Sequence, residues 1–282
     1  MERQVTYLVG GLAAAAVVGL ASATWRRRRQ ARLLRLPFPP EWEAVLQRDV
    51  PLYQRLPPEL QERLRGLVRV FLDGKRFEGC GGQEIRDDLR LIIAAQACLL
   101  VLSRPGRLYP GLRSILVYPG SFFVTDRAEM GSAVVEEEVE RAGESWSQGA
   151  VVLAWEDVKA STAVPTDGHN VVLHEFAHQL DTENGAPDGV PLLRDRAAYA
   201  AWQAVLRREY RQLRRRVQRR DYTLMDEYGA EDPAEFFAVA TETFFEEPTL
   251  MKAEHPALYQ ALKDYYALDP ASWAQAAAAG EA

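Results

Sequence analysis

The segment 170–181, with the sequence NVVLHEFAHQLD, constrains the fold of this chain more than any other feature. Its apolar residues recur at helical spacing, which predicts an α-helix with one buried face. Residues four positions apart lie on the same face of a helix, so His174 and His178 direct their rings to one side. The pattern therefore predicts a core helix that carries two neighbouring imidazoles.

The residues from His174 to His178 also match the pattern HExxH. In this arrangement two imidazoles bind one metal ion, and the glutamate, here Glu175, lies beside the open coordination position. Zinc lowers the pKa of a bound water molecule toward ~7, and the glutamate can accept its proton. A pair of buried, hydrogen-bonded histidines without a metal is the structural alternative. The pattern favours a zinc site of the hydrolytic kind.

A hydrolytic zinc site takes a third protein ligand, and the downstream sequence offers three acidic candidates. They are Glu231, Glu235 and Glu242, in the segment EYGAEDPAEFFAVATETFF. The Asp-Pro pair at 232–233 predicts a helix start, which places Glu235 one turn into an apolar helix. A carboxylate there is expensive to bury unless it is paired or binds a metal. Glu242 lies on approximately the same face of that helix. It is the second candidate for the third ligand, or it orients a histidine ligand without binding the metal itself. Spacing alone leaves the choice open.

The remaining elements indicate an α+β domain. Helices are predicted over 56–73, 82–102, 170–182, 197–220, 233–245 and 256–266, and strands over 114–118, around 122–124 and over 150–155. Helices on both sides of a short run of strands are typical of a mainly helical fold with a small mixed or antiparallel sheet. We expect the strand 150–155 to form a sheet edge that can hold an extended peptide.

The chain begins with residues 7–25, which contain no charge and are followed by six arginines between 26 and 35. This pattern predicts a single transmembrane helix at the inner (cytoplasmic) membrane, with the body facing the cytoplasm. A cleaved signal peptide with a secreted body, or a body soluble in the cytoplasm, is the alternative. The predicted division is an anchor with its basic flank (1–35), a folded domain (36–270) and a flexible tail (271–282).

Charge and cysteine content argue against two further classes of protein, namely nucleic-acid-binding proteins and proteins stabilised by a disulfide framework. The net charge is −6 although the first 35 residues are strongly basic, so the predicted body is acidic and no direct nucleic acid binding is expected. Two cysteines cannot build a disulfide framework.

Several segments together resemble a known family. NVVLHEFAHQLD, DPAEFFAVATETFF, SILVYPGSFFV and GESWSQGAVVLAWEDV are similar to the Mlc titration factor A family of zinc-dependent, gluzincin-type peptidases. The resemblance extends from about 37 to 269 and leaves out the N-terminal apolar segment. It implies a zincin-like domain in which His174, His178 and Glu235 bind zinc and Glu175 is the general base. It also implies that Tyr228 donates a hydrogen bond to the oxyanion, because the same tyrosine-to-glutamate spacing follows a similar helix in the catalytic domain of anthrax lethal factor.

Two functions follow from this resemblance. The first is a zinc metallopeptidase that hydrolyses a peptide or protein substrate. The second is a regulatory binding protein, since the family is named for sequestering the transcriptional repressor Mlc, and a tethered relative could hold such a repressor at the membrane. The sequence leaves the peptide specificity and the oligomeric state open.

Overall fold

A four-stranded mixed sheet lies at the centre of the computed structural model, which describes residues 21, 24–25, 27–104, 108–120, 122–130, 133–141, 143–146 and 149–273. The strands of this sheet are β1 (Arg76–Gly79), β2 (Ser114–Tyr118), β5 (Gly143–Trp146) and β6 (Ala150–Ala154). Their order is β1-β2-β6-β5; the first three are parallel, and β5 is antiparallel to β6. A separate antiparallel pair consists of β3 (Phe122–Met130) and β4 (Ala133–Arg141).

Helices surround the sheet and make up most of the described structure. They are α1 (Pro40–Asp49), α2 (Pro51–Gln54), α3 (Pro58–Gly74), α4 (Asp87–Leu99), α5 (Trp155–Ala163), α6 (Val171–Asp181), α7 (Arg196–Arg219), α8 (Pro233–Glu246), α9 (Pro248–Glu254) and α10 (Pro256–Tyr266). Two short 3₁₀ turns cover Thr182–Asn184 and Glu227–Ala230. The predicted mainly helical α+β class is confirmed.

The core is continuous from the sheet to the helix that carries the two imidazoles. Phe176 of α6 is fully buried, and its ring lies 4.9 Å from that of Tyr109 and 5.8 Å from that of Phe71 in α3. Burial of a side chain of this size stabilises the folded state by about 1.5–3 kcal/mol. The apolar face of α6 therefore fixes the helix against the core and turns His174 and His178 to the opposite side.

Two helices supply the candidate site, and they pack directly on each other. Asn170 caps the N-terminus of α6, where its side chain accepts a hydrogen bond from the backbone N–H of Leu173. Asp232 caps α8 in the same way by accepting from the N–H groups of Ala234 and Glu235. Both ends are therefore held by the short polar residues that precede them, and the side chains one turn in have defined directions.

The edge of the sheet differs from the prediction. The strand predicted over 150–155 is β6, which lies between β2 and β5 and is not an edge. The outer strand beside α6 is β5, a four-residue strand antiparallel to β6. The sequence GESW that forms it contains a glycine and too few residues for an alternating pattern, so the strand escaped the prediction.

The prediction of a transmembrane anchor at the inner membrane is contradicted. Within the described part of the chain, no helix is both long and apolar enough to cross a membrane. Apart from 21, 24 and 25, the predicted span 7–25 lies outside the described residues, as does 274–282 of the predicted tail.

Part of the predicted basic flank belongs to the folded structure. Residues 27–33 are helical, and Arg29 forms a two-point ion pair with Asp73 at the end of α3, with N–O distances of 2.6 and 2.8 Å. Leu34 lies beside Gly66 of the same helix.

Candidate metal centre

Three side chains from α6 and α8 converge on one point. Nε2 of His174 lies 3.1 Å from Nε2 of His178 and 2.9 Å from Oε2 of Glu235, and the distance from Nε2 of His178 to that oxygen is 3.4 Å. All three side chains are between 13% and 16% exposed. The site is therefore open to solvent on one side and enclosed by protein on the others.

The donor set suits a divalent metal ion of the zinc type. Two imidazole nitrogens and one carboxylate oxygen are ligands that zinc takes in catalytic sites, at about 2.0–2.2 Å. Ligand atoms at that distance around a tetrahedral ion are about 3.3 Å apart, close to the separations of the three atoms here. His174, His178 and Glu235 thus form a group whose ligand atoms lie within 4.8 Å of one another.

Glu242 fixes the orientation of the first imidazole. Its Oε1 lies 2.8 Å from Nδ1 of His174. Because an ionised carboxylate can only accept, Nδ1 of His174 carries a proton, and Nε2 is the ring nitrogen that faces the centre and can bind a metal once it has lost its own proton. Glu242 is seven residues after Glu235, close to two helical turns, so both acids lie on one face of α8. The structure therefore places Glu235 at the centre and Glu242 behind a ligand.

A second buried acid continues this network away from the centre. Asn170 donates its backbone N–H to Glu242 in a short contact, and its side-chain amide donates to Glu246 at 2.9 Å and to Gln96 at 2.7 Å. Glu246 also accepts from the backbone N–H of His169 at 3.1 Å. The residue that caps α6 thus joins two acids of α8. The sequence analysis did not predict this network, because Asn170 and Glu246 are 76 residues apart in the chain.

The pKa values of Glu235 and His174 are shifted in opposite directions from their usual values. Burial raises the pKa of Glu235, but hydrogen bonds with His174 and His178 outweigh it and lower the value to about 2. Burial lowers the pKa of His174, but the charge of Glu242 and the hydrogen bonds to both acids raise it well above its usual value. Metal binding at this site must therefore release a proton from His174.

Glu175 lies beside the centre with one oxygen uncommitted. The residue is only 5% exposed, and its Oε2 has no hydrogen-bond partner among the described residues. Burial raises its pKa to about 7, although the neighbouring charges of His174 and His178 lower it. A buried carboxylate oxygen without a partner is rare in folded proteins, because an unmade hydrogen bond costs about 1–3 kcal/mol. The arrangement fits a group whose partner is a water molecule or substrate.

Tyr228 lies on the solvent side of the centre. It is 40% exposed, and its ring centroid is 5.9 Å from that of His174. The 3₁₀ turn Glu227–Ala230 carries it, and Asp226 fixes that turn by accepting the backbone N–H of Tyr228 at 2.7 Å. The structure thus brings all five predicted site residues into one region.

Two further acids lie outside the group of three converging side chains. One is Glu231, a candidate third ligand from the sequence, and the other is Asp181, which follows the HExxH motif. Glu231 is exposed and does not belong to the group at the centre. Asp181 is fully buried, and its carboxylate accepts the backbone N–H of Gly189 at 2.9 Å. Asp181 therefore fixes the loop that follows α6.

Glu246 leads to a first prediction on stability. Burial and the charges of Glu242 and Asp167 raise its pKa from 4.5 to about 8, although the hydrogen bond from Asn170 lowers it. Between these two values the folded chain holds a proton that the unfolded chain has lost. The resulting contribution to the free energy of unfolding is complete below pH 4.5 and is lost as pH rises through 8.

Urea unfolding at several pH values checks this prediction. We expect wild type to lose on the order of a few kcal/mol between pH 5 and 8 relative to Glu246→Gln, whose amide does not titrate. A constant difference between the two proteins over this range would show that Glu246 is ionised in the folded state throughout.

Comparison with known proteins agrees with this geometry. The profile of the glucose-regulated metallo-peptidase M90 family matches residues 22–267. An uncharacterized protein of Synechocystis sp. is 44% identical over 248 residues, covering 87% of this chain and 90% of that relative. Proteins named Mlc titration factor A from Cronobacter sakazakii and Escherichia coli are 34% and 33% identical over 250 residues, each covering 87% of this chain and 91% of the relative.

Proposed function

The chain belongs to the glucose-regulated metallo-peptidase M90 family, and on that premise we propose that it is a zinc-dependent peptidase that hydrolyses peptide bonds. The observation that carries the proposal is the convergence of His174, His178 and Glu235, with the uncommitted carboxylate of Glu175 beside them. A pair of histidines with a purely structural role would not require a buried carboxylate oxygen without a hydrogen-bond partner beside it.

The proposed zinc ligands are the two imidazole Nε2 atoms and the carboxylate of Glu235. When bound, the ion supplies Lewis-acid chemistry, which makes a water molecule more acidic and a carbonyl carbon more electrophilic. Glu242 holds the His174 ring in the tautomer that leaves Nε2 free. The chain's own acids thus set the charge and direction of the ligands.

Glu175 and Tyr228 are the proposed catalytic residues. Glu175 takes a proton from the water whose oxygen attacks the carbonyl carbon, and passes a proton to the amine nitrogen as the C–N bond breaks. Tyr228 donates its hydroxyl proton in a hydrogen bond to the carbonyl oxygen as negative charge develops there.

Hydrolysis by the purified chain tests the proposal. The full chain is stripped of metal, reloaded with zinc and incubated with a peptide library, and the products are identified by mass spectrometry. We expect cleavage that requires added zinc and is absent from His178→Ala. Equal product formation with and without metal would reject the proposed peptidase.

A further prediction concerns Tyr228. Tyr228→Phe keeps the ring but removes the hydroxyl, and loss of one oxyanion donor lowers kcat by about 10²–10³-fold. We expect KM and zinc content to stay near their wild-type values, because the hydroxyl acts as charge develops. The matched control is Tyr222→Phe, at a tyrosine that is 75% exposed. A wild-type kcat for Tyr228→Phe would remove this residue from the mechanism.

Binding of a regulatory protein is a second candidate function. It is favoured by the name Mlc titration factor A, which is carried by relatives that match most of this chain. Pull-down of a transcriptional repressor by Glu175→Gln, combined with no zinc-dependent hydrolysis by wild type, would favour this function over the peptidase.

A further inference from the structure

The outward face of α7 carries a row of arginines that has no part in the site described above. Side chains four residues apart lie on one face of a helix. From the middle of α7 to its last residue, every fourth residue is an arginine, and all of these side chains are exposed. The members of this set, termed the arginine row, are Arg207, Arg211, Arg215 and Arg219.

The guanidinium groups of the arginine row have no partner among the described residues. Elsewhere on the same helix arginines do have partners, since Arg208 pairs with Glu209 at 2.7 Å and Arg216 donates to the carbonyl of Tyr222 at 3.4 Å. No hydrogen bond or ion pair joins a side chain of the row to another described residue. Like charges four residues apart repel each other and lower the stability of a helix. Within the described structure, this repulsion is not offset.

Neither packing nor the helix dipole accounts for the row. The opposite face of α7 holds the helix in place, because Trp202, Leu206 and Leu213 are buried there. The negative end of the helix dipole stabilises cations in the last turn only. This effect favours Arg219, but Arg207 lies about three turns before the end of the helix. The row therefore adds charge that the fold itself does not require.

The spacing of the row matches that of an extended acidic peptide. Four residues of helix advance about 6 Å, so the row spans about 18 Å along α7. Alternate side chains of an extended chain lie on one face, about 6.6–6.8 Å apart, and four of them span about 20 Å. Each carboxylate can therefore meet one arginine. A guanidinium group binds a carboxylate through two parallel hydrogen bonds, which makes the contact specific in direction.

The charges around the row favour a short anion over a long one. The chain has a net charge of −6, and the segment that follows α7 contains several exposed acids. Duplex DNA carries one charge per ~1.7 Å along its axis and continues past both ends of the row. An anion that extends beyond the end of α7 is repelled by these acids. They are Asp221, Asp226, Glu227, Glu231 and Asp232.

The side chains beside the row do not suit a lipid surface. A helix that binds at a membrane surface inserts large apolar side chains below its cations. The outward face of α7 instead has Ala200, Ala204 and Gln218 beside the arginines, all of them exposed. These side chains offer little apolar surface to a membrane, whereas their small size allows an extended chain to approach the helix closely.

From these features we propose that the arginine row binds an extended acidic segment of a partner protein, with carboxylates at alternate positions. No member of the row is among the five proposed zinc-binding and catalytic residues. The inference therefore holds whether or not the chain is a peptidase.

Binding of synthetic peptides to the full chain tests this proposal. Two serine-based peptides each carry four glutamates, at every second position in the first and at every third position in the second. In an extended chain the second arrangement places successive carboxylates on opposite faces, so about two of the four can meet the row.

Fluorescence anisotropy of the labelled peptides at low ionic strength gives the two dissociation constants. Each exposed ion pair contributes a factor of about 1.5–5 to binding, so we expect the second peptide to bind about 2–25-fold more weakly than the first. Equal binding of the two peptides, or no binding of the first, would overturn the proposal.

Replacing part of the row gives a matched comparison. One variant combines Arg207→Gln, Arg211→Gln and Arg215→Gln, and we expect it to bind the first peptide about 3–100-fold more weakly than wild type. The control variant has the same net charge, because three exposed arginines outside the row are replaced by glutamine. It should bind as wild type does, and equal weakening in both variants would overturn the proposal. The control positions are Arg32, Arg63 and Arg113.

A charge exchange makes the test independent of folding. Arg211→Glu places a carboxylate inside the row, and the first peptide is prepared with lysine in place of each glutamate in turn. We expect one lysine peptide to bind Arg211→Glu more tightly than the original peptide does, and every lysine peptide to bind wild type more weakly. A misfolded chain cannot produce such a gain. If no lysine peptide bound Arg211→Glu more tightly, the proposed contact would be rejected.

Phosphate-bearing ligands distinguish the remaining occupants of the row. Pentathymidylate, which has four phosphates, and phosphatidylserine vesicles are titrated into wild type and the triple variant of the row under the same conditions. We expect neither ligand to bind wild type more tightly than the first peptide does. Tighter binding of either one that is lost in the triple variant would overturn the proposal and assign the row to a nucleic acid or a membrane.

Discussion

Replacing Glu175 by glutamine is expected to lower kcat for peptide hydrolysis by about 10²–10⁴-fold, the contribution of a positioned general base. Glutamine has nearly the same shape, but its amide cannot take a proton from water at neutral pH. Glu175 is not one of the three residues whose ligand atoms converge, so zinc content should remain at the wild-type level. The substitution therefore separates proton transfer from metal binding.

The measurement is turnover and zinc content on the same preparations. Glu231→Gln is the matched control, because this acid lies near the site in sequence but is exposed and outside the central group. It should keep wild-type activity. If Glu175→Gln turned over peptides at the wild-type rate, another group would have to be the base.

The second large effect is expected at Glu235. A zinc concentration of about 100 times Kd should raise the free energy of unfolding of wild type by ~2.7 kcal/mol, because the ion binds the folded chain. Glu235→Ala leaves only two imidazoles, so this stabilisation should vanish at the same concentration. Glu242→Ala keeps all three proposed ligands but removes the acceptor for Nδ1 of His174 and for the backbone N–H of Asn170, and it should weaken zinc binding by about 10–100-fold.

Urea unfolding with and without zinc gives these free energies, with Glu231→Ala as the control that should behave as wild type. We expect the increase in the free energy of unfolding caused by zinc to decrease in the order wild type, Glu242→Ala, Glu235→Ala. This order distinguishes a metal ligand from a residue that orients a ligand. Equal stabilisation of Glu235→Ala and wild type by zinc would remove Glu235 from the proposed ligand set.

The parts of the site that local chain geometry determines could be predicted from the sequence. His174, Glu175 and His178 follow from the helical repeat, since residues four apart share a face whatever the remaining fold. Glu235 and Glu242 could not be ranked, because both lie on one face of α8 and both contact His174, Glu235 at Nε2 and Glu242 at Nδ1. Which nitrogen each acid contacts depends on how α6 and α8 pack.

Features that depend on contacts between distant segments were missed. Asn170 and Glu246 are 76 residues apart in the chain, and no local pattern joins them. The strands β1 and β5 have four residues each, too few for a clear alternation of apolar and polar side chains.

Anomalous diffraction at the zinc absorption edge, from crystals of the full chain grown without chelators, tests the central claim most directly. We expect a single strong peak at about 2.0–2.2 Å from Nε2 of His174, Nε2 of His178 and a carboxylate oxygen of Glu235. Absence of a peak at this site in zinc-loaded crystals, or a peak whose protein ligands exclude Glu235, would contradict the account.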